Sequence, residues 1–378
     1  MSMPPDPLAS TRNKLDVLDN RLLDLLKERG ALVAQVLETK KREGLPIFVP
    51  ERETQKVVSF REAAQQRGLD PEWAEDFLRM VMGSSRASQS LGTQPCATDE
   101  PRIVLLVGGK GRMGALYGKF FTASGHQVRV LDQEDWDRAE ELTRGVHAAI
   151  VTVPIRQTPQ VIARLAPLLE AETVLCDFTS HKAEPVLAML QAHPGPVLGL
   201  HPMHGPDVQN LSKQLMVTCP GRDSEASAWL CAQFRLWGLR LRDVPPPVHD
   251  ETMHLVQGLR HFLALLHGSF LTEAGRDPAD MLELSSPIYR AELMMTGRIF
   301  AQNPELYADI VFSDERRRML LLEFLNHHQH LAEMVANNDK DAFIARFVEI
   351  QAFFGEFAQQ ALTESSYLIH RLADRFAE

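Results

Sequence analysis

"VLLVGGKGRMG", Val104 to Gly114, is the stretch whose reading decides the fold. A short apolar run of β type passes into the spacing Gly109-x-Gly111-x-x-Gly114, and a helical pattern follows. Gly109 permits the tight turn, Gly111 lets backbone approach a pyrophosphate, and Gly114 lets the helix pack on the strand, with the helix N-terminus facing the phosphate charge. Arg112 and Met113 complete the loop that would touch the cofactor. Alone, these glycines fit a plain turn as well. Their context says more: the next strand, "QVRVLDQED", ends in Asp132, 18 residues after Gly114, where a carboxylate binds an adenosine ribose 2′-hydroxyl. Gln133, Glu134 and Asp135 follow, and this acidic group would repel a 2′-phosphate. NAD is therefore expected rather than NADP, with Arg112 as the one nearby cation that argues the other way.

Outward from this loop, "RIVLLVGG", "QVRVLD", "AAIVTVP", "TVLCDF", "VLGLHP" and "QLMVTCP" alternate with amphipathic helical stretches between Arg102 and about Val244. The alternation predicts a parallel, doubly wound sheet. In such sheets ligands lie beyond the carboxyl ends of the strands. Thr152 and Pro154 end the third strand on the cofactor side, "DFTSHK" (Asp177 to Lys182) ends the fourth, and "LGLHPMHGPD" (Leu198 to Asp207) ends the fifth. A nicotinamide cofactor brings hydride chemistry, and the protein must then place a substrate carbon and manage a proton. His201 is the candidate acceptor for the proton of a hydroxyl that becomes a carbonyl, a role that suits neutral imidazole. His204 lies three residues on, but Pro202 and Gly205-Pro206 exclude the helix on which two such rings would converge. With no Asp/Glu/Cys cluster at ligand spacing, no metal site is expected.

The 378 residues imply two or three domains. Residues 1–92 read as helical, 93–101 as a linker within the polar "SQSLGTQPCATDEP", 102–245 as a Rossmann-like nucleotide-binding domain, and 246–378, from the Pro245-Pro246-Pro247 run onward, as a helical domain expected to dimerise and to cover the nicotinamide end of the cleft. A net charge of -10 gives no support to nucleic-acid binding, although placed arginines can still capture small anions. Cys96, Cys176, Cys219 and Cys231 show no paired spacing and read as reduced thiols. "MSMPPDPLAST" lacks the apolar core of a signal peptide, and no apolar run nears ~18 residues. A cytoplasmic protein without a membrane partner is expected.

In the first segment, "RNKLDVLDNRLLDLLKERGALVAQVLETKK" places Leu15, Leu18, Leu22, Leu25, Leu26, Leu32, Val33, Val36 and Leu37 at helical intervals. One helix of about 30 residues, roughly 45 Å, is too long for the rest of the segment to cover. Its apolar face should meet a second copy, giving a homodimer. Arg29 and Lys40, 11 residues apart, return to within about 20° of one face at roughly 16 Å and can share a groove. Arg12 lies about 25 Å along the axis from Arg29, so any site it serves is the partner chain's.

"LGLHPMHGPD", "SSPIYRAELMMTGRIFAQNPELYADI" and the glycine loop resemble prephenate dehydrogenases, and the N-terminal segment resembles the all-helical chorismate mutases. Together they resemble the bifunctional chorismate mutase/prephenate dehydrogenase family over essentially the entire chain. The resemblance implies rearrangement of chorismate to prephenate, then NAD-dependent oxidative decarboxylation of prephenate to 4-hydroxyphenylpyruvate on the route to tyrosine, with tyrosine as feedback inhibitor. By matching motif, it implies that His201 hydrogen-bonds the ring hydroxyl whose carbon yields hydride, and that Ser180 assists. It gives His261 the pyruvyl group and Arg298 the ring carboxylate, with Lys182 and Arg290 as supports and Gln257 and Asp207 bordering the substrate. Prephenate is a dianion, which fixed guanidinium and ammonium groups can hold.

For the mutase, the resemblance implies a pocket lined by Arg12 of one subunit and Arg29, Lys40, Arg52, Glu53, Ser85 and Gln89 of the other. Lys40 and Gln89 would donate to the breaking ether oxygen, Arg12 and Arg29 to the carboxylates, and Arg52 and Glu53 to the polar rim. The rearrangement needs no acid, base or cofactor, only a held conformer and stabilised charge. The chain departs from its relatives at His181, His204 and Val49, and neither histidine is given a proton-transfer role. Two rival readings stay open: a dehydrogenase that prefers arogenate, and an NAD-binding regulator whose mutase-like segment only dimerises.

Overall fold

The computed structural model describes residues 8–89 and 92–376, with side chains except at 87–89 and 373–376. The chain divides into two compact units, residues 1–247 and 248–378.

The first unit opens with three helices, α1 (Ala9–Arg42), α2 (Pro50–Gln65) and α3 (Pro71–Gln89). The long periodic stretch is one helix of 34 residues, and Lys40, Lys41 and Arg42 sit in its last turn, where cations offset the helix dipole. Pro50 and Pro71 open the next two helices at positions that need no N–H donor. Helix α3 packs on both α1 and α2. On α1 only Leu37 is buried, while Leu15, Leu18, Leu22, Leu25, Leu32 and Val36 are all exposed. These six residues of the stripe expected to meet a second copy are thus left uncovered by the described residues, whereas Leu26 and Val33 are half-buried.

The sheet follows as β1 (Ile103–Val107), α4 (Arg112–Ala123), β2 (Gln127–Leu131), α5 (Ala139–Thr143), β3 (Ala148–Val151), α6 (Thr158–Leu165), β4 (Val174–Asp177), α7 (Ala183–Ala192), β5 (Val197–Pro202), β6 (Leu215–Arg222), α8 (Ala228–Leu236) and β7 (Arg240–Asp243). Its strand order is β2-β1-β3-β4-β5-β6-β7. Alternate residues of the strands face opposite cores. Val104, Leu106, Ala148 and Ile150 meet Tyr117 and Phe121 of α4 and Phe234 of α8, whereas Leu105, Val107, Ala149 and Val151 meet Ile162 and Leu165 of α6 and Met189 of α7. Helices on both faces explain why these strands are apolar throughout.

Two features differ from the sequence expectation. The sheet is not wholly parallel: β6 runs antiparallel to β5, and β7 is parallel to β6. The physical reason is the connection, since residues 203–214 contain no crossover helix and a chain without one returns antiparallel. Second, the connector 93–101 is docked. Gln94 N donates to Ala123 O at 2.8 Å, and the buried Gln233 side chain both accepts from Ala97 N and donates to Pro95 O, each at 2.9 Å.

From Pro246 the chain is helical: α9 (Pro246–Met253), a π-helical turn at His254–Leu259, α10 (Arg260–Ala274), α11 (Pro278–Glu283), α12 (Pro287–Phe300), α13 (Pro304–Val311), α14 (Glu315–Ala336), α15 (Lys340–Phe354) and α16 (Glu356–Phe376). Side chains of Asp277, Ser286, Asn303, Asp314 and Asp339 cap the starts of α11 to α15. Helix α10 packs on α12 and α13, and α12 packs on α16. Among the described residues, no helix is long and apolar enough to cross a membrane.

Candidate active sites

Strand register aligns the residues proposed for the dehydrogenase. Val107, Val151, Asp177 and Gly199 stand side by side across β1, β3, β4 and β5. The residues just beyond them, the glycine loop, Thr152, Ser180 and His201, therefore follow one edge of the sheet. Strand β1 lies between β2 and β3, where the order of connection reverses and such sheets open a crevice.

The left-handed turn belongs to Gly108, at φ 79°, and not to Gly109 as the spacing predicted. Gly114 is a steric necessity: a Cβ there would stand 2.7 Å from Gly109 Cα and 2.9 Å from both Gly108 O and Thr152 Oγ1. Gly111 caps α4, and Arg112 and Met113 form its first turn. Thr152 Oγ1 donates to Val107 O at 2.9 Å, and Pro154 leads into the following turn. Asp132 Oδ2 accepts from Lys110 N at 2.9 Å, which ties the end of β2 to the glycine loop.

Lys110 is a cation the sequence reading overlooked, so Arg112 is not alone. Its ammonium pairs with Glu134 and lies 3.6 Å from Asp135, and the hydrogen bond to Glu134 raises its pKa. Three carboxylates, Asp132, Glu134 and Asp135, thus face one ammonium, and the balance stays negative where a 2′-phosphate would sit. A cradle of this shape with a carboxylate at the end of β2 fits NAD.

His201 is buried in β5, opposite Val217 of β6. Ser180 is half-buried on the loop after β4, and Asp207 is exposed on the loop after β5. Lys182 departs from its expected place. Its ammonium is fully buried, paired with Asp177 and donating to Leu200 O at 2.8 Å, so it braces the residue before His201 and does not present charge to a ligand. The physical reason is local: Lys182 leads into α7, and the buried Asp177 carboxylate needs a cation.

His204 is a structural clasp. Tyr117 Oη donates to its Nε2 at 3.0 Å, its Nδ1 donates to Gly205 O at 3.0 Å, and burial lowers its pKa. His181 pairs with Glu184 at 3.2 Å.

In the second unit, Gln257 lies in the π-helical turn and His261 in the first turn of α10. The His261 ring meets Tyr307 edge-on at 4.8 Å and accepts from Arg260 at 3.3 Å. Burial, then Arg260 and Arg317, push its pKa down to about 4, so it is a neutral imidazole at neutral pH. Arg290 and Arg298 both lie on α12, Arg298 exposed in the last turn.

Helices α1 to α3 and the loop between α1 and α2 border a separate open cavity of about 540 Å³ lined by Arg29, Lys40, Arg52, Glu53 and Ser85. The Arg29 guanidinium donates to Ser85 Oγ at 3.0 Å. Lys40 donates to the carbonyls of Pro46 and Ile47 at 3.0 and 2.8 Å, and burial, then Arg52, lower its pKa. Val49 lines the wall as the residue before α2. Arg12 is not part of this lining, and the Gln89 side chain lies outside the described residues. Lys56 and Arg86 also line the cavity and were missed. Arg86 directly follows Ser85, and a search for cations around each matched position would have found it.

Residues 11–90 match the family model of chorismate mutase type II, 119–238 that of the nucleotide-binding domain of prephenate dehydrogenase, and 245–349 that of its dimerization domain. The second match begins after the glycine loop, which therefore rests on its own geometry. The T-protein of Enterobacter agglomerans is 44% identical over 97% of this chain and 98% of its own length. The chain belongs to the T-protein family. The T-protein of Haemophilus influenzae is 39% identical over 98% of both chains. Among solved structures, the prephenate dehydrogenase of Aquifex aeolicus, crystallised with hydroxyphenyl propionate and NAD+, superposes with a TM-score of 0.55 at 18% identity, over 68% of this chain and 99% of that one. That likeness shows the fold. With both sets of domains on one chain, this is an enzyme of two activities, chorismate mutase and prephenate dehydrogenase.

Proposed function

We propose that the two activities are successive steps of tyrosine biosynthesis, run at separate sites: chorismate is rearranged to prephenate, and prephenate is oxidised and decarboxylated to 4-hydroxyphenylpyruvate. In the mutase cavity Arg29, oriented by Ser85, holds a carboxylate, Lys40 and Gln89 donate to the ether oxygen, and Arg52 and Glu53 meet the polar rim. Arg12 serves the cavity of a partner chain. The charge that develops on the breaking bond is what these donors stabilise.

In the dehydrogenase, the glycine loop, Asp132, Thr152 and Pro154 would hold NAD, which supplies the hydride acceptor. His201 accepts the hydrogen bond of the ring hydroxyl and takes its proton as that carbon is oxidised, with Ser180 assisting. Arg298 pairs with the ring carboxylate, supported by Arg290, and neutral His261 hydrogen-bonds the pyruvyl group. Gln257 and Asp207 border the substrate. Loss of carbon dioxide with aromatisation drives the step and leaves a phenolate oxygen, so the protein has only to bind, orient, accept one proton at His201 and return it to that oxygen.

The observation that carries this reading is the pairing, on one chain, of a cation-lined helical cavity with a glycine-loop sheet edge that ends in His201. The exposed apolar stripe of α1 supports a homodimer; a cytoplasmic location and inhibition by tyrosine are proposed with it. Steady-state assays test the reading: chorismate consumption, then NADH formation from prephenate and from arogenate. No turnover of chorismate or prephenate would sink it, and a preference for arogenate would replace the second substrate. Sedimentation at twice 42.5 kDa tests the dimer, and a tyrosine titration of the dehydrogenase rate tests the inhibitor.

A further inference from the structure

A side chain from outside α1 to α3 reaches a residue that lines the mutase cavity. Glu53, which lines it, has a side chain only 11% exposed and is held by three cations. Arg86 donates to Glu53 Oε2 at 2.8 Å and Arg79 lies 3.6 Å from Oε1, both from α3. The third is Lys213, which pairs with Oε1 from the loop between β5 and β6 of the nucleotide-binding domain. The same ammonium stands 5.2 Å from the centre of the Phe48 ring, in the loop that joins α1 to α2.

The backbone around Lys213 is shaped for this reach. Lys213 has φ 68°, the left-handed region that an L-residue with a long side chain seldom adopts. Its N–H donates to Gly238 O at 2.9 Å, and Gly238 is itself left-handed at φ 86°. A Cβ on Gly238 would stand 2.9 Å from Ser212 Oγ and 3.1 Å from Phe48 Cβ, so the mutase loop docks where there is no room for a side chain. Ile47 N also donates to Leu236 O at 3.2 Å. Strained positions persist where the surroundings over-determine them, and they gather at functional sites.

The electrostatic need is plain. Chorismate brings two carboxylates to a cavity that already holds Glu53, and a carboxylate without cations would repel it. We propose that Lys213 is a positioning residue of the mutase site: it fixes the Glu53 carboxylate toward the substrate's polar rim and offsets its charge. The rearrangement then depends on a side chain from the domain that binds the nucleotide. The inference rests on the mutase reading of the cavity.

The test uses the full chain. Lys213→Asn removes the ammonium and keeps a residue that tolerates left-handed backbone. It should raise KM for chorismate about five-fold, the order expected of a half-exposed charge-assisted contact, with kcat and prephenate oxidation unchanged. Lys213→Arg should restore most of the loss. In a Glu53→Gln background the Lys213→Asn change should add nothing, because the two residues act as one unit. An unchanged KM in Lys213→Asn, additive losses in the double variant, or parallel loss of both activities would overturn the proposal. Failure of the unsubstituted chain to convert chorismate would instead remove the mutase reading on which it rests, and that result is seen before any variant is made.

Discussion

Replacing Gly114 by alanine tests the cofactor site through a single methyl. Its Cβ would stand 2.7 Å from Gly109 Cα and 2.9 Å from Gly108 O, backbone atoms that cannot swing aside as a side-chain tip can. Carbon contacts are comfortable at about 3.5–4.0 Å, so α4 must move from the glycine turn by roughly 1 Å. Overpacking of this kind costs about 1–3 kcal/mol. That displacement carries the N-terminal amides of α4 away from the pyrophosphate position. If the whole cost appears in binding, the NAD dissociation constant rises roughly 5- to 150-fold, at about 1.4 kcal/mol per decade. The assay is a fluorescence titration with NAD, with thermal unfolding recorded on the same sample so that any share borne by stability is counted. Chorismate turnover is the internal control and should not change. NAD affinity and stability both at wild-type values in Gly114→Ala would refute the steric argument and, with it, the placing of the cofactor at this loop.

Other predictions follow from buried charge and pH. Lys182→Met leaves the Asp177 carboxylate buried without its cation and should cost about 3–5 kcal/mol in urea unfolding, with most of it regained in Asp177→Asn/Lys182→Met; a small loss in the single variant would contradict the buried pair. His261 has its folded pKa near 4, below the ordinary 6.5, so between these values the unfolded chain binds the extra proton and stability falls as pH drops from about 6.5 toward 4. His261→Gln should flatten that slope, as acid unfolding curves can show. Lys40 must be protonated to donate, and burial lowers its pKa, so kcat/KM for chorismate should fall on an alkaline limb below 10.5. A limb that survives Lys40→Arg unchanged belongs to another group.

Local rules in the sequence reached most of the elements. The long α1 and the position of Asp132 at the end of β2 depend on spacing within one element or between two neighbours and lie where the spacing put them, whereas in the glycine loop the left-handed turn falls on Gly108 and not on Gly109. The reversal of β6 lay hidden because strand direction is set by what fills residues 203–214 in space, which composition does not reveal. The edge strand β7, four residues with little buried surface, gave too weak a pattern to register. Lys182 looked like a ligand-facing cation because the buried Asp177 that claims it is visible only once β4 and α7 are folded together. Lys213 and Glu53, 160 residues apart, and Tyr117 and His204, 87 apart, carry no signal in either stretch alone. Contacts across domains and layers are made by tertiary packing, and a single sequence records them only through the side chains left waiting for partners.

The account stands on two separate sites in one chain, and His201→Asn tests that most directly. Chorismate consumption and NADH formation from prephenate are measured on the same folded preparation, with circular dichroism as the check on folding. NADH formation should be abolished while chorismate consumption stays within about two-fold of wild type, since His201 lies at the sheet edge and the cavity of α1 to α3 does not include it. Equal loss of both activities in a folded variant, or retained prephenate oxidation, would contradict the account.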